Sequence, residues 1–481
     1  MISAEEAIGH LLNPNSIAIV GASNNRLKFG GRLIHYLIKN NYKGKIFPVN
    51  PGEKEVAGLP AYPRLTDIPD DVDLACLIVP LNILFDVLKD CVAKGVKAVI
   101  VNASGFAEVG EDGEQLQSDL VRIAREGGMR VCGPNTIGIF SPADNFFATF
   151  SNAMETKNVP VGTIGFITQS GAVGGSILSR AWEHEIGFSR CISSGNEADL
   201  TTADYIKYLA KDPATSVICL FLEGVSDGQN FRDAIITATE VGKPIVVFKN
   251  GRSEIGARAV KSHTGSLAGS DEVFQALCKQ YGMLRVTDLE ALLEIGLALS
   301  RQSLPRGNRM GILSTSGGAC SIAVDNCMDY GLEVPNFSPF TTKFLKKFIP
   351  PYGSAENPVD TTAQVGQDAG FFTESIEVIA QDSNVDGLLL MLTTTREPLA
   401  TKLAESIVEV SRKTDKPITV GWTIAPSLAS DGMACLRKNG IPLYSSPERA
   451  VRAMAAMSHY NNFLQKYSRR KTDVMCKNCV K

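Results

Sequence analysis

The sequence predicts an α/β protein built on parallel sheets, and three observations predict it. Short β-branched runs alternate with helical patterns from the N-terminus onward, the pattern of an open parallel sheet with helices on both faces. A strand, a turn of small residues and a helix start recur at residues 21–24, 169–175 and 314–319, and the last two echo each other closely enough to argue for two domains of related architecture. The length of 481 residues suits about three domains of ~150 residues each.

The first block covers residues 1–140. Ser16-Ile17-Ala18-Ile19-Val20 reads as a strand, Gly21-Ala22-Ser23-Asn24 as its turn, and the stretch from Arg32 to Lys39 as a helix. Further strands run from Lys45 to Asn50, from Asp73 to Val79 (ending at Pro80) and from Ala98 to Val101, with a helix from Ile83 to Lys94. In such sheets ligands lie at the carboxyl ends of the strands. A loop near 141–160 opens the second block, 141–303. It reads as a strand from Gly162 to Thr168, a helix start from Gln169 to Gly175, a strand from Val217 to Leu222 ending at Glu223, a strand from Pro244 to Lys249, and a helix from about Ser270 to Tyr281. Ser303 to Asn308 is a linker by composition. The third block, 304–465, begins with a strand from Arg309 to Leu313, a glycine turn from Ser314 to Ala319 and a helix to Tyr330. Residues 466–481 are basic and aperiodic and are expected to form a flexible tail.

Composition narrows the function classes. A net charge of −3 with 44% hydrophobic and 21% charged residues is that of an ordinary globular protein and gives no case for a nucleic-acid or membrane surface. No apolar run reaches the ~18–20 residues of a membrane span, and Glu5 and Glu6 stand where a secretory signal would be basic, so a cytoplasmic protein is expected. The eleven cysteines lie mostly in apolar runs and read as small buried hydrophobes of a reducing compartment. Cys476-Lys477-Asn478-Cys479 is the single close pair; a structural zinc normally needs four ligands, so no metal site is expected.

Among five histidines, His263 stands apart in Lys261-Ser262-His263-Thr264-Gly265-Ser266-Leu267-Ala268-Gly269-Ser270. Most histidines in polar loops are merely solvated. This one, read as held by small residues that leave it free to swing and open to a phosphate, is a candidate covalent nucleophile, because imidazole is largely unprotonated and nucleophilic at neutral pH. The three small-residue turns each open a helix, where exposed N–H groups and the helix dipole favour an anion. The turn at Gly21 lacks G-x-G-x-x-G, which argues against a nicotinamide oxidoreductase, and it lacks a P-loop pattern. Glu223, at a strand's carboxyl end, suits a carboxylate that takes an N–H from the imidazole and fixes its tautomer.

Several motifs occur in order along the chain. They are Ile19-Val20-Gly21-Ala22-Ser23, Phe47-Pro48-Val49-Asn50-Pro51 with Lys54 behind it, and Ile78-Val79-Pro80; then Ser104-Gly105-Phe106-Ala107-Glu108, Gly133-Pro134-Asn135-Thr136-Ile137-Gly138 and Thr168-Gln169-Ser170-Gly171-Ala172; then Ser194-Gly195-Asn196-Glu197-Ala198-Asp199, Leu222-Glu223-Gly224 and Ser262-His263-Thr264-Gly265-Ser266. In this ordered set the chain resembles, over about residues 10–460, the nucleoside-diphosphate-forming acyl-CoA synthetases, relatives of succinyl-CoA synthetase. With Ser314-Thr315-Ser316-Gly317-Gly318 and Asn357-Pro358-Val359-Asp360 it is most similar to the α subunit of ADP-forming acetyl-CoA synthetases.

The resemblance implies a Rossmann-like CoA-binding domain followed by two flavodoxin-like, succinyl-CoA synthetase-type domains. It implies coenzyme A along Gly21, Ser23, Asn24, Asn50, Lys54, Val79, Pro80 and Asn135. It further implies phosphate at Ser170, Gly171 and Ala172 and at Ser316, Gly317 and Gly318, two helix N-termini converging on a phosphohistidine at His263 held by Glu223. The expected reaction converts acyl-CoA, ADP and phosphate reversibly to acid, CoA and ATP through an acyl phosphate. The family's ATP-grasp pattern is missing from this sequence, so a separate β subunit is expected to bind ADP or ATP with Mg, in an α2β2 assembly. The acid stays open: acetate by resemblance, or another short, branched or aromatic one. The rival reading is a CoA-binding regulatory or scaffold subunit without turnover.

Overall fold

The computed structural model describes the backbone of residues 2–156, 158–264, 269–362 and 369–479, and their side chains except those of 261–264, 369 and 470–479. The chain forms two compact units, Met1–Leu292 and Leu293–Lys481. The first holds two sheets and the second holds one.

The first sheet comprises β1 (Ser16–Val20), β2 (Lys45–Val49), β5 (Leu74–Leu77), β6 (Ala98–Val101) and β7 (Arg130–Cys132), all parallel in the order β2-β1-β5-β6-β7. A small hairpin, β3 (Glu55–Val56) and β4 (Leu59–Pro60), follows β2. The helices α1 (Ala4–Leu12), α2 (Phe29–Lys39), α3 (Leu81–Lys94) and α4 (Glu111–Glu126) belong to this block. Every residue of β1, β5 and β6 is buried, which is why these strands are continuous apolar runs rather than alternating ones. The strand order reverses at β1, which opens a crevice at its carboxyl end.

The second sheet is built from β8 (Gly138–Ser141), β9 (Phe146–Thr149), β10 (Val161–Thr168), β11 (Phe188–Ser193), β12 (Val217–Leu222), β13 (Ile245–Lys249) and β14 (Leu284–Val286), in the order β14-β13-β12-β10-β11-β8-β9. Its helices are α5 (Gly171–Glu183), α6 (Thr202–Lys211), α7 (Gly228–Glu240), α8 (Glu254–Thr264) and α9 (Asp271–Tyr281); α10 (Leu289–Arg301) runs across the unit boundary and lies mostly in the second unit. Here the order reverses at β10, directly before α5. The strands β8 and β9 pair antiparallel at one edge, so part of the stretch read as a connecting loop near 141–160 is sheet. Phe140 stacks on Phe147 across that pair at 5.7 Å, a cross-strand contact that alternation within so short a segment does not advertise.

In the second unit β15 (Met310–Ser314), β16 (Val359–Asp360), β17 (Gly387–Leu392), β18 (Ile418–Trp422) and β19 (Leu443–Tyr444) run parallel in the order β16-β15-β17-β18-β19. They carry α11 (Gly317–Asp329), α12 (Pro339–Leu345), α13 (Ala369–Gln381), α14 (Leu399–Ser411), α15 (Ser430–Lys438) and α16 (Pro447–Cys479), over a core that includes Leu313, Phe372 and Trp422.

Two expectations are corrected. The residues from 466 on, read as a flexible tail, continue α16 to Cys479; after Pro447 at its start the segment contains neither glycine nor proline, so nothing local stops it. His263, read as part of a loop, has its backbone in the last turn of α8; Gly265 and Ser266 of the same motif lie outside the described residues. Among the described residues no helix is long and apolar enough to cross a membrane.

Within the first unit one carboxylate joins the two sheets. Asp199 has a fully buried side chain that receives Arg130 Nε at 2.8 Å, Arg125 Nη2 at 2.6 Å and the Val131 N–H at 2.8 Å. The backbone continues the seam: Leu200, Ala198 and Asn196 donate to the carbonyls of Val131, Gly133 and Pro134 at 3.2, 3.1 and 2.9 Å. Removing the carboxylate strands a nearly buried Arg130. Asp199→Ala is therefore expected to cost about 3 kcal/mol, the low end for a broken buried pair because Arg125 keeps water contact, read as a lower urea midpoint at unchanged slope.

Candidate active site

At the crevice of the first sheet, Gly21 ends β1 with φ +91°, and a Cβ there would lie 2.1 Å from the Ile78 carbonyl oxygen. Only glycine lets the chain turn between β1 and the end of β5. The amide of Asn50 crosses this turn, donating to the Ala22 carbonyl at 2.8 Å while its oxygen accepts from Gly52 at 2.8 Å. Asn24 does the same toward the hairpin, donating to the Glu55 carbonyl at 3.0 Å and accepting from Ala57 at 2.9 Å. Ser23 Oγ accepts from the Asn25 N–H at 3.1 Å. Val79 is half-buried beside the turn, while Lys54 and Pro80 are exposed. The structure thus gathers Gly21, Ser23, Asn24, Asn50, Val79 and Pro80 at one sheet edge, with Lys54 leading into the hairpin. Asn24 and Asn50 shape the cradle through internal hydrogen bonds. Asn135, with φ +59°, is tied elsewhere: its amide donates to Asn196 Oδ1 at 3.3 Å, on the loop after β11.

At the crevice of the second sheet, Ser170 caps α5, its hydroxyl accepting from the Val173 N–H at 3.4 Å. The N–H groups of Gly171 and Ala172 belong to the first helical turn, which has no intrahelical acceptors. Gln169 does work that the sequence does not announce. Its Oε1 accepts from the backbone N–H groups of Glu223 at 2.6 Å and Gly224 at 3.0 Å, and its Nε2 donates to the Gly224 carbonyl at 3.0 Å. One side chain therefore locks the α5 turn to the end of β12. Glu223 is 5% exposed. From the other side Lys249, 3% exposed at the end of β13, donates to the Glu223 carbonyl at 2.9 Å and the Asn250 carbonyl at 2.8 Å. Below the turn, the carboxylate of Glu197 (φ +55°) accepts from Ser194 Oγ at 2.7 Å and from Thr202 Oγ1. Burial pushes that carboxyl above the ordinary carboxylate range, against the pull of these hydroxyls.

His263 is on the same sheet's next crossover, in α8, and its side chain lies outside the described residues. The elements place Glu223, the α5 turn and the entry to α8 at the same carboxyl edge, since β10, β12 and β13 are parallel neighbours.

The corresponding turn of the second unit is chemically different. Ser316 caps α11 by position only; its hydroxyl makes no cap bond, and its N–H donates to Ser314 Oγ at 3.0 Å. A Cβ on Gly317 would sit 2.9 Å from Asp360 Oδ2. The Asp360 carboxylate therefore lies close to the positive end of the helix, which weakens the pull of Ser316, Gly317 and Gly318 on a further anion. Among the described residues no group of three or more His, Cys, Asp or Glu could hold a metal ion; the side chains of Cys476 and Cys479 lie outside them.

Comparison with known proteins identifies this architecture. Residues 15–142 match a CoA binding domain, 161–299 a succinyl-CoA ligase-like flavodoxin domain and 310–460 a ligase-CoA domain. The acetate–CoA ligase (ADP-forming) II subunit alpha of Pyrococcus furiosus is 37% identical over 455 residues, 94% of this chain and 97% of that one. The chain belongs to the ADP-forming acetate–CoA ligase family. A solved structure described as the dinucleotide forming acetyl-coenzyme A synthetase 1 of Ca. Korarchaeum cryptofilum, in complex with phosphate and ADP, superposes with a TM-score of 0.88 at 36% identity, covering 96% of this chain and 98% of that one. The 4-hydroxybutyrate–CoA ligase (ADP-forming) of Nitrosopumilus maritimus is 34% identical over 95% of this chain, which spans 64% of its length. Family members thus occur both at this length and as longer single chains, and their names cover different acids.

Two residues that hold this crevice escaped sequence reasoning, Gln169 and Lys249. The available signal was a polar residue closing each of two otherwise apolar strands. Burial lowers the Lys249 ammonium below the ordinary lysine range, with Asp271 opposing, Arg285 adding and Glu223 opposing. Between that lowered value and the ordinary one near 10.4 the unfolded chain binds more protons, so this position's contribution to stability rises with pH across the window. Urea unfolding of the wild type and of Lys249→Met is expected to diverge in the wild type's favour as pH is raised, by at most ~1.4 kcal/mol per pH unit. A pH-independent difference would show that the ammonium is not held out of water.

Proposed function

We propose that the chain is the α subunit of an ADP-forming acyl-CoA synthetase, acting in the cytoplasm with an ATP-grasp β subunit that binds ADP or ATP with Mg, in an α2β2 assembly. The observation that carries this reading is the Gln169 lock. It holds a helix N-terminus suited to phosphate and a buried carboxylate at one strand-end crevice, on the sheet whose next crossover contains His263.

The chain divides in this reading into domains 1–140, 141–303 and 304–465, followed by residues 466–481. CoA lies along the Gly21–Asn24 turn, Asn50, Val79 and Pro80, with Asn135 at the far end. The exposed cations Arg26, Lys28 and Lys54 near the turn suit its phosphates. Phosphate rests on the N–H groups of the Ser170–Ala172 turn, and an oxygen of it attacks the thioester carbon. The C–S bond breaks, and CoA thiolate and an acyl phosphate result. An imidazole nitrogen of His263 then attacks phosphorus, the P–O bond to the acyl group breaks, and the carboxylate leaves. Glu223 takes the other N–H, which favours the cationic phosphoimidazole. Transfer of the phosphoryl group to ADP on the β subunit restores the imidazole and yields ATP. Covalent catalysis suits sites that are far apart. Ser316, Gly317 and Gly318 form a second, weaker turn of the same kind. The acid is a small carboxylate, with acetate the first to try.

Incubation with a panel of acyl-CoAs and phosphate, followed by intact-protein mass spectrometry at neutral to alkaline pH, is expected to show one acid-labile phosphoryl group. His263→Ala should lack it entirely, and Glu223→Gln should acquire it on the order of 10²-fold more slowly. Phosphorylation of the His263→Ala protein would overturn the mechanism. Failure of every thioester, with the ATP-grasp partner present and CoA bound, would leave a CoA-binding scaffold subunit.

A further inference from the structure

The second unit has a cleft of about 600 Å³ lined by Ser300, Arg301, Gln302, Ser303, Ser411, Arg412, Thr414, Lys416, Lys438, Asn439, Gly440 and Ile441. Four of these residues are cationic and none is acidic, in a chain whose net charge is −3. Of the lining residues, Thr414 and Lys416 precede β18, 439–441 precede β19 and 300–303 precede β15. The cleft is thus at the amino ends of parallel strands, the opposite edge of that sheet from the Ser314–Gly318 turn.

Hydrogen bonds between segments far apart in the sequence fix its walls. Gln302 accepts from the Ile418 N–H at 2.9 Å and donates to the Gly440 carbonyl at 3.3 Å, so one side chain ties three wall segments together. Ser303 Oγ donates to the Asp415 carbonyl at 2.6 Å, and Arg412 Nη2 to Asn439 Oδ1 at 2.9 Å. Lys416 is half-buried, its ammonium donating to the Asp382 carbonyl at 2.6 Å. Burial lowers that ammonium below the ordinary lysine range, with Asp382 and Asp386 opposing and Arg309 and Arg306 adding, so a bound anion would relieve a cost the fold now carries. Arg301 and Lys438 are exposed.

We propose that this cleft, at the opposite edge of its sheet from the Ser314–Gly318 turn, is a binding site for a small, multiply charged phosphate compound. Guanidinium forks and ammonium groups around a hydroxyl- and amide-rich floor match phosphate oxygens. The volume falls in the range of small-molecule sites, about 300–1,000 Å³, and exceeds what a single phosphate fills. Two sources share this chemistry, a nucleoside diphosphate and inorganic polyphosphate.

The test uses the full chain, saturated with CoA to occupy the first-sheet crevice, in calorimetric titrations with ADP and with inorganic tripolyphosphate. Arg301→Gln/Lys438→Gln is the informative variant, because both side chains are exposed and neither Gln302 nor Lys416 is disturbed; an unchanged melting temperature verifies its fold. One saturable site is expected, at least 10-fold weaker in the variant and weaker again when salt is raised from 50 to about 300 mM, as screening requires. ADP binding that the variant loses identifies a nucleotide site, and tripolyphosphate binding without ADP binding identifies a polyphosphate site. No saturable binding of either probe, or equal binding by the variant, overturns the proposal.

Discussion

The Asp199 carboxylate is the contact on which the geometry of the first unit depends. It is fully buried between two arginines and a backbone N–H, and an unpaired charge in that position would be prohibitively costly. Both arginines come from the first block and the carboxylate from the second, so the charge can be satisfied only when the two sheets are in register. The loop 194–200 is then laid along 131–135 by three backbone hydrogen bonds. That loop carries Asn196, which meets Asn135, and Glu197, which lies under the α5 turn. A structural ion cluster thereby sets where the two strand-end crevices stand relative to each other.

Above that seam, polar groups at the second crevice act through position rather than exposure. Gln169 gives its amide to the backbone of Glu223 and Gly224, and Lys249 gives its ammonium to two carbonyls of the same edge. Between them they hold the end of β12 from two sides. A buried ammonium is a poor source of net stability; here it fixes two carbonyls of the strand edge. The two helix-opening turns, alike in sequence, are electrostatically unlike. The turn at Ser170 leaves its first N–H groups for a ligand, whereas the turn at Gly317 faces the Asp360 carboxylate.

The sequence by itself determined the α/β class, the apolar strands and the small-residue turns. These are local properties: a strand buried on both faces is mostly apolar, and a turn that needs positive φ favours glycine, whatever lies across from it. The ordered motifs were sufficient for the family, because most of them follow strand ends, where such folds bind ligands. Even the failures were local in origin. The pattern of residues 138–149 was too short to reveal an antiparallel edge, and the small residues around His263 looked like loop although α8 runs to Thr264.

Only the tertiary structure decided which polar side chains face a site and which are occupied by the fold. Asn24 and Asn50, expected along coenzyme A, also brace the first cradle, while Gln169 and Lys249, polar residues at strand ends, hold the second. The physical reason is that a hydrogen-bond partner or a desolvating neighbour comes from a segment far away in the chain, as Glu223 does for Gln169 and Asp360 for Gly317. Periodicity encodes which face of an element is buried; it carries no record of what that face meets.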